Sequence, residues 1–591
     1  MNTPPKIVWT IAGSDSGGGA GIQADLATAQ DLGCHCATVI TTVTAQNSVS
    51  VSLVESVSAA MLLAQLNSLA RDLPPAAIKI GLLASQQQLD VVANWLKRFT
   101  QGRYSEGPLA VILDPVMVAS SGDRLNLSSE TDTAFRAGSS SGLDFSPFKG
   151  LLSLITPNQQ ELQHLVSGLD YREVCQTSLN GNADSFIDNQ AEFIAKTQAL
   201  AQALDCHVLA KGGDGQHWQG NEAIDCYVCH QVEGASLHHD NATYLLTHTR
   251  INTGNNHGTG CTLSAAIASF MAQDFVLHDA IVLAKAYVTK GLINSYQPGA
   301  GPGSLARTGW ANDLTLFPRI ARMADANNHQ GKSDKASESS NLTFKKLSAD
   351  LGIYPVVDSV ALLKELLEAG CRTIQLRLKS DSKCCQQGKP PQAQQLELQI
   401  INAIELGRTF NAQVFINDHW QLALKHQAFG IHLGQEDLFE VDLNAISGAG
   451  MALGLSSHSY FEILLAHQLR PSYIALGHIF PTPTKTMASK PQGLIKLNHY
   501  ARLLHGHYPT VAIGGIDSQC LAGIKATGVS NAAVVRALTQ AADPKAAFDE
   551  LTEIWYGKSI LALGKHLVAT KAADANIVQS RDSVEETSYA E

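Results

Sequence analysis

The stretch from residue 373 to residue 434 contains TIQLRL at 373–378, QVFIN at 413–417 and GIHLG at 430–434, three short apolar runs separated by longer polar segments. Similar runs surround them, namely IYPVV at 353–357, ALGLS at 452–456, YIALGHIF at 473–480, TVAIGG at 510–515 and NAAVV at 531–535. Helical patterns lie between most of these strand candidates. Eight strand–helix units in about 200 residues are typical of a (β/α)8 (TIM) barrel. We therefore predict a barrel domain over residues 347–560.

The N-terminal half also alternates strand-like and helical patterns, but over longer repeats. Its apolar runs are KIVWTIAG at 6–13, HCATVITTV at 35–43, AAIKIGLL at 76–83, LAVILDPVM at 109–117, LLSLITPN at 151–158, HVLAKGG at 207–213 and YLLTHTRI at 244–251. Helical stretches such as AAMLLAQLNSLARDL at 59–73 separate some of them. This order predicts an α/β sandwich over residues 1–320, with a mostly parallel sheet covered on both faces.

Two polar segments divide and close the chain. Residues 324–346 read ADANNHQGKSDKASESSNLTFKK, which is rich in small and polar residues and has almost no apolar periodicity. This composition predicts a flexible linker over residues 321–346. The acidic end of the chain predicts a C-terminal extension, mostly a disordered tail, over residues 561–591.

Composition narrows the class of protein. The chain has 591 residues, 45% hydrophobic and 16% charged, which fits globular domains with sizeable cores. Its 42 Lys and Arg against 53 Asp and Glu give a net charge of -11, so binding to nucleic acid is not expected. No apolar run reaches the roughly 18–20 residues of a membrane span. The eleven scattered cysteines and the missing export signal predict reduced thiols and a cytoplasmic protein.

Glycine-rich strings in the first half predict binding of an anion. GSDSGGGAGIQAD at 13–25 follows one strand, and NNHGTGCTLS at 255–264 runs into an apolar helix. Glycines before a helix expose backbone N–H groups, which together with the helix dipole suit a phosphoryl group. The chain has no G-x-x-x-x-G-K-[ST] string, which disfavours P-loop chemistry.

Cys261 stands at the start of that helix. A helix N-terminus lowers a thiol pKa, so we expect a thiolate that deprotonates a substrate hydroxyl. The alternative is a buried cysteine that serves only for packing.

These strings, with TAQN, KIGLL, LDPVM, ITPNQQEL and AKGG, resemble the hydroxymethylpyrimidine/phosphomethylpyrimidine kinases of thiamine biosynthesis, in the ribokinase-like superfamily. The resemblance implies Mg²⁺-dependent transfer of phosphate from ATP to the pyrimidine alcohol and then to its monophosphate. It implies Cys261 as the catalytic base. The binding residues that it implies are Asp25 and Gln46 for the pyrimidine, Asp114, Asn158 and Glu161 for Mg²⁺ and the nucleotide phosphates, Lys211 for ATP, and Gly258 to Cys261, including Gly260, for the anion hole.

Polar residues end most strands of the second half. Since the carboxyl ends of barrel strands meet on one face, these residues are expected to form one site. Arg377, Lys379 and Lys485 can neutralise phosphates, and Asp418 and Asp437 can share a Mg²⁺ through oxygen ligands. Thr482 and Thr484 offer hydroxyls, and the glycines at 514–515 suit a phosphate near strands seven and eight.

This half resembles thiamine-phosphate synthase through YPVVD, QLRLK, INDHW, GIHLGQEDL, LGLSSH, YIALGHIFPTPTKT and VAIGGI. The resemblance implies condensation of the pyrimidine diphosphate with thiazole phosphate and release of pyrophosphate. It implies these contacts: Gln375, Arg377 and Lys379 with the diphosphate, Asp418 and Asp437 with Mg²⁺, Asn417 and Ser456 near the pyrimidine, and Thr482, Thr484, Lys485 and Gly515 near phosphates. Family members often carry V-V-S after the eighth strand, where this chain has Val534-Val535-Arg536.

Three functional interpretations follow. The leading one is a bifunctional enzyme whose first domain makes the substrate of the second. A second keeps both folds but assigns the first half to pyridoxal phosphorylation, since pyridoxal kinases share its superfamily. A third is a sensor or scaffold that binds these intermediates without turnover. The expected partners are small molecules; the sequence leaves the oligomeric state open, a homo-oligomer included.

Overall fold

The computed structural model describes residues 4–101, 109–117, 142–167, 169, 185–213, 220–230, 242–323, 342–347, 351–378, 390–483 and 490–557. The chain divides into two compact units, Met1–Ser339 and Ser340–Glu591. This division falls inside the segment predicted as a linker, of which residues 324–341 lie outside the described part. The tail predicted at 561–591 also lies outside it.

The N-terminal unit is built on one sheet of ten strands in the described residues. The strands are β1 (Ile7–Asp15), β2 (His35–Gln46), β3 (Val51–Ser56), β4 (Ala77–Ile80), β5 (Ala110–Leu113), β6 (Leu154–Ile155), β7 (His207–Ala210), β8 (Glu222–Val228), β9 (Thr243–Thr249) and β10 (Arg319–Met323). Their order is β10-β9-β8-β7-β6-β5-β4-β1-β2-β3.

The centre of this sheet is parallel and its margins are antiparallel. Strands β2, β1, β4, β5, β6 and β7 pair in parallel, whereas β3 and β8 to β10 pair antiparallel with their neighbours. The prediction of a mostly parallel sheet is confirmed. The quoted apolar runs did not include β3, β8 or β10. β3 was missed because only one side chain in two of a margin strand is apolar, and β10 because it adjoins the polar segment.

Helices lie on both faces of the sheet. They are α1 (Gly21–Asp31), α2 (Ala59–Asp72), α3 (Gln86–Gln101), α4 (Gln159–Leu165), α5 (Ser185–Leu204), α6 (Thr259–Ala272) and α7 (Leu277–Ile293). Adjacent residues of β1 show the two faces, because neighbouring side chains of a strand point in opposite directions. Trp9 packs against Trp95 of α3 with ring centroids 5.6 Å apart, and the Thr10 hydroxyl donates to Asp25 of α1 at 2.6 Å.

The C-terminal unit is a closed parallel barrel. Its strands are β11 (Ile353–Val357), β12 (Thr373–Leu376), β13 (Gln413–Asn417), β14 (Gly430–Leu433), β15 (Ala452–Ser457), β16 (Tyr473–Gly477), β17 (Thr510–Ile513) and β18 (Asn531–Val534). The helices are α8 (Val360–Glu368), α9 (Pro390–Thr409), α10 (Trp420–Lys425), α11 (Leu443–Gly448), α12 (Tyr460–Leu469), α13 (Gly493–Leu504), α14 (Leu521–Ala526), α15 (Arg536–Thr539) and α16 (Pro544–Tyr556). All eight predicted strands are present, and the barrel is confirmed.

Residues 342–346, which we predicted as the end of the linker, pack against the barrel unit. Leu342 and Phe344 are buried. The backbone N–H of Thr343 donates to Ser447 Oγ at 2.9 Å, and that of Lys345 donates to the Met451 carbonyl at 3.0 Å. Two apolar side chains therefore anchor this end of a polar segment. The average composition of the segment does not reveal such an anchor.

Large rings fill the barrel interior where small residues leave room. Tyr354, Phe415 and Tyr473 meet edge to face, with ring centroids 5.2–6.1 Å apart. Gly454 on β15 lies beside Tyr473 in the strand register, and a Cβ there would stand 2.2 Å from the tyrosine ring. Glycine at 454 is therefore required by the close approach of that ring.

None of the helices in the described ranges is long and apolar enough to cross a membrane.

Candidate active sites

The two glycine strings of the N-terminal unit meet at the start of α6. Gly258 precedes the helix with φ of 77°, a left-handed conformation that favours glycine. A Cβ at Gly258 would lie 1.9 Å from the carbonyl oxygen of Gly19. The two strings can touch because the residues at the contact are glycines. The first backbone amides of a fourteen-residue helix lie at the same contact.

Asp15 holds the first glycine string in shape. Its carboxylate accepts hydrogen bonds from the amides of Gly17, Gly19 and Ala20 at 2.8–3.1 Å and lies 3.1 Å from His257 Nε2. Burial alone would raise the pKa of Asp15, but these bonds, that of His257 foremost, lower it below its ordinary value. The Asp15–His257 pair therefore links the two strings, a contact that the sequence reading missed because 242 residues separate the partners.

Cys261 lies in the first turn of α6, as predicted, but its thiol is not activated in the way the sequence suggested. Burial raises the pKa of Cys261 to about 11, and the positive charge of Lys79 only partly offsets this. The expected lowering of this pKa is wrong, because the loss of solvation outweighs the groups that favour the thiolate.

Asp25 forms a buried ion pair. Its side chain has no exposed surface, and its Oδ2 accepts from Lys79 Nζ at 2.7 Å and from Thr10 Oγ1 at 2.6 Å. Burial is the main cause that raises the pKa of the carboxyl, which Lys79 opposes. The structure thus pairs Asp25 with Lys79, and the contact of Asp25 with the pyrimidine stays a prediction. The lysine inside the apolar run AIKI was a sign in the sequence that an acidic side chain must be buried next to it.

Asp114 and Lys211 lie on the other side of the same helix start. Lys211 Nζ is 2.8 Å from Asp114 Oδ1, and a Cβ at Gly260 would come within 3.1 Å of that ammonium. Burial alone would lower the pKa of Lys211, but the charge of Asp114 raises it, so the ammonium stays charged. The structure therefore brings together three predicted residues, Asp114, Lys211 and Gly260, at one point.

Asn158 and Glu161 form a capping box at the start of α4. The Asn158 amide donates to the Glu161 carboxylate, and the Glu161 amide donates to Asn158 Oδ1, both at 2.8 Å. A bridge between Asn158 and Lys211 places this helix start next to the Asp114–Lys211 pair. Gln46, predicted at the pyrimidine, ends β2, where its backbone exchanges hydrogen bonds with Ser16 Oγ at 2.7 and 2.8 Å.

The barrel unit has a cavity of about 530 Å³ at the carboxyl ends of its strands. Every predicted barrel residue that the structure describes lines this one cavity: Gln375, Arg377, Asn417, Asp418, Asp437, Ser456, Thr482 and Gly515. The remaining predicted residues, Lys379, Thr484 and Lys485, lie outside the described residues. Sequence reasoning missed His432, His458 and His478 on the same wall, although each stands in a quoted string.

Asp418 and Asp437 follow β13 and β14. Asp418 has φ of 62°, and its amide donates to the His432 carbonyl at 3.1 Å, which holds the loop against the next strand. Asp437 Oδ2 accepts from the Gly434 amide at 3.0 Å. In the described residues no group of three or more His, Cys, Asp or Glu is arranged to hold a metal. Two carboxylates nevertheless fit Mg²⁺, which usually keeps waters and substrate phosphates as its other ligands.

The wall of the cavity between β12 and β15 carries paired polar side chains. Gln375 Nε2 donates to Asn417 Oδ1 at 2.7 Å. His432 is buried, with Nε2 2.9 Å from Ser456 Oγ and Nδ1 2.7 Å from the hydroxyl of Tyr473. Burial, assisted by the charge of Arg377, lowers the pKa of His432 to about 3, so this imidazole is neutral.

Arg536 begins α15 at the rim of the same cavity. Its side chain is exposed and lines the cavity, and its Nε donates to Gln540 Oε1 at 3.3 Å. Gly514 and Gly515 have φ of 101° and 68°, and a Cβ at Gly515 would come within 2.8 Å of Pro481 O. The rim thus combines a guanidinium with exposed backbone, which suits a phosphate group.

The fold and the two sites define a class: a phosphotransferase-type α/β unit joined to a phosphate-binding (β/α)8 barrel. Residues 15–306 match the family model for phosphomethylpyrimidine kinase, and residues 353–538 match that for thiamine monophosphate synthase. The chain belongs to the thiamine-phosphate synthase family through its barrel and carries a phosphomethylpyrimidine kinase unit before it. It is therefore an enzyme of thiamine biosynthesis with both a kinase and a transferase part.

Similar proteins are known for both parts. The thiamine-phosphate synthase of Klebsiella pneumoniae is 55% identical over 210 residues, which are 35% of this chain and 93% of that protein. That of Shigella sonnei is 53% identical over 211 residues, 36% of this chain and 95% of that protein. The solved phosphomethylpyrimidine kinase of Clostridium difficile is 28% identical, with a TM-score of 0.34, and the match covers 48% of this chain and 98% of that one.

Proposed function

We propose that the N-terminal unit phosphorylates 4-amino-5-hydroxymethyl-2-methylpyrimidine with ATP, first to the monophosphate and then to the diphosphate. The observation that carries this proposal is the contact of the two glycine strings at the start of α6, with Cys261 in its first turn. The amides there can hold the transferred phosphoryl group, and Cys261 can take the proton of the attacking hydroxyl. Lys211, next to Gly260, can pair with a phosphate of ATP.

Nucleotide and metal contacts are proposed for the opposite side of that helix start. Asp114, Asn158 and Glu161 would hold Mg²⁺ together with the ATP phosphates. When bound, Mg²⁺ neutralises phosphate charge. The Asp114–Lys211 ion pair supports this placement, because it sets an acidic and a basic group within 3.5 Å of a Cβ position at Gly260.

The barrel unit is proposed to join the pyrimidine diphosphate to thiazole phosphate. One cavity lined by all eight described candidates supports this. Asp418 and Asp437 would hold Mg²⁺, which when bound offsets the charge of the departing pyrophosphate. Gln375 and Arg377 bind the diphosphate, Asn417 and Ser456 orient the pyrimidine, and Gly515 with the rim binds the thiazole phosphate. These residues act by position and charge, and the thiazole nitrogen attacks the methylene carbon as pyrophosphate leaves.

A coupled assay tests both proposals. The purified full chain is incubated with the pyrimidine alcohol, ATP, Mg²⁺ and thiazole phosphate, and thiamine phosphate is measured. We expect its formation, and none when ATP or Mg²⁺ is omitted. Supplying the pyrimidine diphosphate directly should remove the need for ATP. Faster ATP turnover with pyridoxal than with the pyrimidine alcohol would contradict the kinase proposal. No product from either starting point would favour a binding protein without turnover.

A further inference from the structure

A line of four hydrogen-bonded side chains runs from the barrel core to the cavity. The hydroxyls of Tyr354 and Tyr473 are 2.9 Å apart, Tyr473 OH is 2.7 Å from His432 Nδ1, and His432 Nε2 is 2.9 Å from Ser456 Oγ. Tyr354, Tyr473 and His432 are at most 5% exposed, whereas Ser456 is partly buried and lines the cavity. His432 also lines the cavity, but both of its ring nitrogens are bonded within the relay, so Ser456 is the member that can offer a hydrogen bond to a ligand.

The strand register explains how the relay crosses the barrel. His432 on β14 is the neighbour of Gly454 on β15, and Gly454 is the neighbour of Tyr473 on β16. Because Gly454 has no side chain, the Tyr473 ring lies over it and reaches the imidazole two strands away.

The buried end of the relay fixes the direction of its hydrogen bonds. Within the described part of the chain, Tyr473 is the hydrogen-bond partner of the Tyr354 hydroxyl. If Tyr473 donated to Tyr354, the Tyr354 hydrogen would be buried without an acceptor, which is costly. Tyr354 therefore donates to Tyr473.

The direction of this first hydrogen bond determines the donor and the acceptor of each bond that follows toward the cavity. Since Tyr354 does not accept, the hydrogen of Tyr473 must go to His432 Nδ1. A neutral imidazole that accepts at Nδ1 carries its hydrogen on Nε2 and donates it to Ser456. Ser456 Oγ thus already accepts a bond from the protein, and its own hydrogen is left to point into the cavity.

We propose that Tyr473 and His432 are positioning residues that make Ser456 a hydrogen-bond donor to a ring nitrogen of the aminopyrimidine. The inference rests on the function proposed for the barrel. A ring nitrogen is the match because it accepts a hydrogen bond, whereas the amino group of the same ring mainly donates. The relay would therefore make the barrel recognise the ring nitrogen that accepts a hydrogen bond, in addition to the shape of the ring.

The first test measures the tautomer of His432 in the ligand-free full chain. Nitrogen-15 NMR of histidine-labelled protein, with His432→Gln to assign the signal, should show a protonated Nε2 and an unprotonated Nδ1 at pH 7. A protonated Nδ1 would overturn the proposal. This result does not depend on any substrate, so it stands or falls separately from the function proposed for the barrel.

The second test compares two tyrosines of the same core. Tyr473→Phe removes the bond that orients the imidazole, and we expect the KM for the pyrimidine diphosphate to rise about five- to tenfold, the value of one neutral hydrogen bond. Tyr354→Phe deletes the same group but leaves His432 as the acceptor for the Tyr473 hydroxyl. The KM of this variant for the pyrimidine diphosphate should therefore change less than about twofold. The KM for thiazole phosphate should change in neither.

Thermal unfolding of both variants checks that they fold, and similar losses are expected because both remove a buried hydroxyl. An equal rise of KM in both variants would mean a structural effect and would overturn the proposal.

The third test identifies the acceptor. Two analogues of the pyrimidine diphosphate each carry C–H in place of one ring nitrogen. Wild type should lose about five- to tenfold in kcat/KM with one of them, and Ser456→Ala should no longer discriminate between that analogue and the substrate. Unchanged discrimination in Ser456→Ala, or none in wild type, would contradict the proposal. Failure of wild type to convert the pyrimidine diphosphate itself would instead refute the function of the barrel.

Discussion

Cys261 combines a reactive position with a partly buried thiol whose pKa is raised to about 11. If it is the base, the reactive thiolate fraction of the free enzyme rises about tenfold per pH unit below that pKa. We therefore expect kinase kcat/KM to rise between pH 7 and pH 9 in wild type. Cys261→Ala should lower kinase turnover about 10²–10⁴-fold, abolish this rise and leave condensation from supplied diphosphate unchanged.

Cys34→Ala provides a matched control. The Cys34 thiol is buried against the other end of α6, where it contacts the Ser269 carbonyl. It should cost stability but little turnover. Undiminished kinase kcat in Cys261→Ala would exclude the role of base.

Arg536 stands where related synthases often have serine. Its side chain lines the same cavity as Gly515, so its guanidinium can pair with the thiazole phosphate. We expect Arg536→Ser to raise the KM for thiazole phosphate about tenfold and to leave that for the pyrimidine diphosphate nearly unchanged. Arg502→Ser, which removes an exposed arginine of the outer helix α13, should change neither. A rise for the diphosphate alone would show that the two phosphate sites are interchanged.

At the scale of elements, Glu161 has two roles at the start of α4: it caps the helix, and it is proposed to bind Mg²⁺. One substitution can distinguish these roles. The Glu161 carboxylate caps the helix by accepting from the Asn158 amide at 2.8 Å. Glu161→Gln retains an oxygen that can accept this bond but removes the negative charge. We expect the unfolding midpoint to stay within about 2 °C, while kinase activity falls at least tenfold and needs more Mg²⁺.

Glu192→Gln on α5, where the half-buried Glu192 pairs with Lys196 at 2.8 Å, is the corresponding control for a lost charge. Full activity in Glu161→Gln at low Mg²⁺ would limit Glu161 to capping.

Strand β15 depends on glycine at one position. In Gly454→Ala the new methyl would overlap the Tyr473 ring, which is locked between Tyr354 and Phe415. We expect a loss of about 1–3 kcal/mol in the free energy of unfolding, because a packed core does not accept extra volume. Gly448→Ala, where nothing lies within 4 Å, should be almost silent in the same denaturation experiment. Equal stability of the two variants would contradict the packing argument.

At the scale of the whole molecule, the two compact units predict independent folding. We expect limited proteolysis between residues 324 and 341 to give two fragments, because this segment has few apolar residues to bury. The first should retain kinase activity and the second condensation activity, each measured after separation. A second fragment that begins after residue 347 should be less stable, since Leu342 and Phe344 pack on the barrel. Unfolding of either fragment on cleavage would mean that the units depend on each other.

The sequence by itself determined both folds and eight of the residues that line the barrel cavity. Strand periodicity is local, and the carboxyl ends of parallel strands converge whatever the loops do, so polar residues at strand ends such as Arg377, Asn417 and Ser456 had to meet. The glycine strings were equally readable, because close backbone approach excludes side chains.

Tertiary structure alone decided which of these groups are charged, paired or reachable. Burial raised the pKa of Cys261 although Lys79 lies nearby, and the carboxylate of Asp25 is paired with the same lysine. The relay from Tyr354 to Ser456 joins four strands, and its first two members, Tyr354 and Tyr473, stand 119 residues apart in the sequence. Desolvation and hydrogen-bond direction depend on every neighbour of a group, and such neighbours come from segments whose separation in the sequence carries no signal.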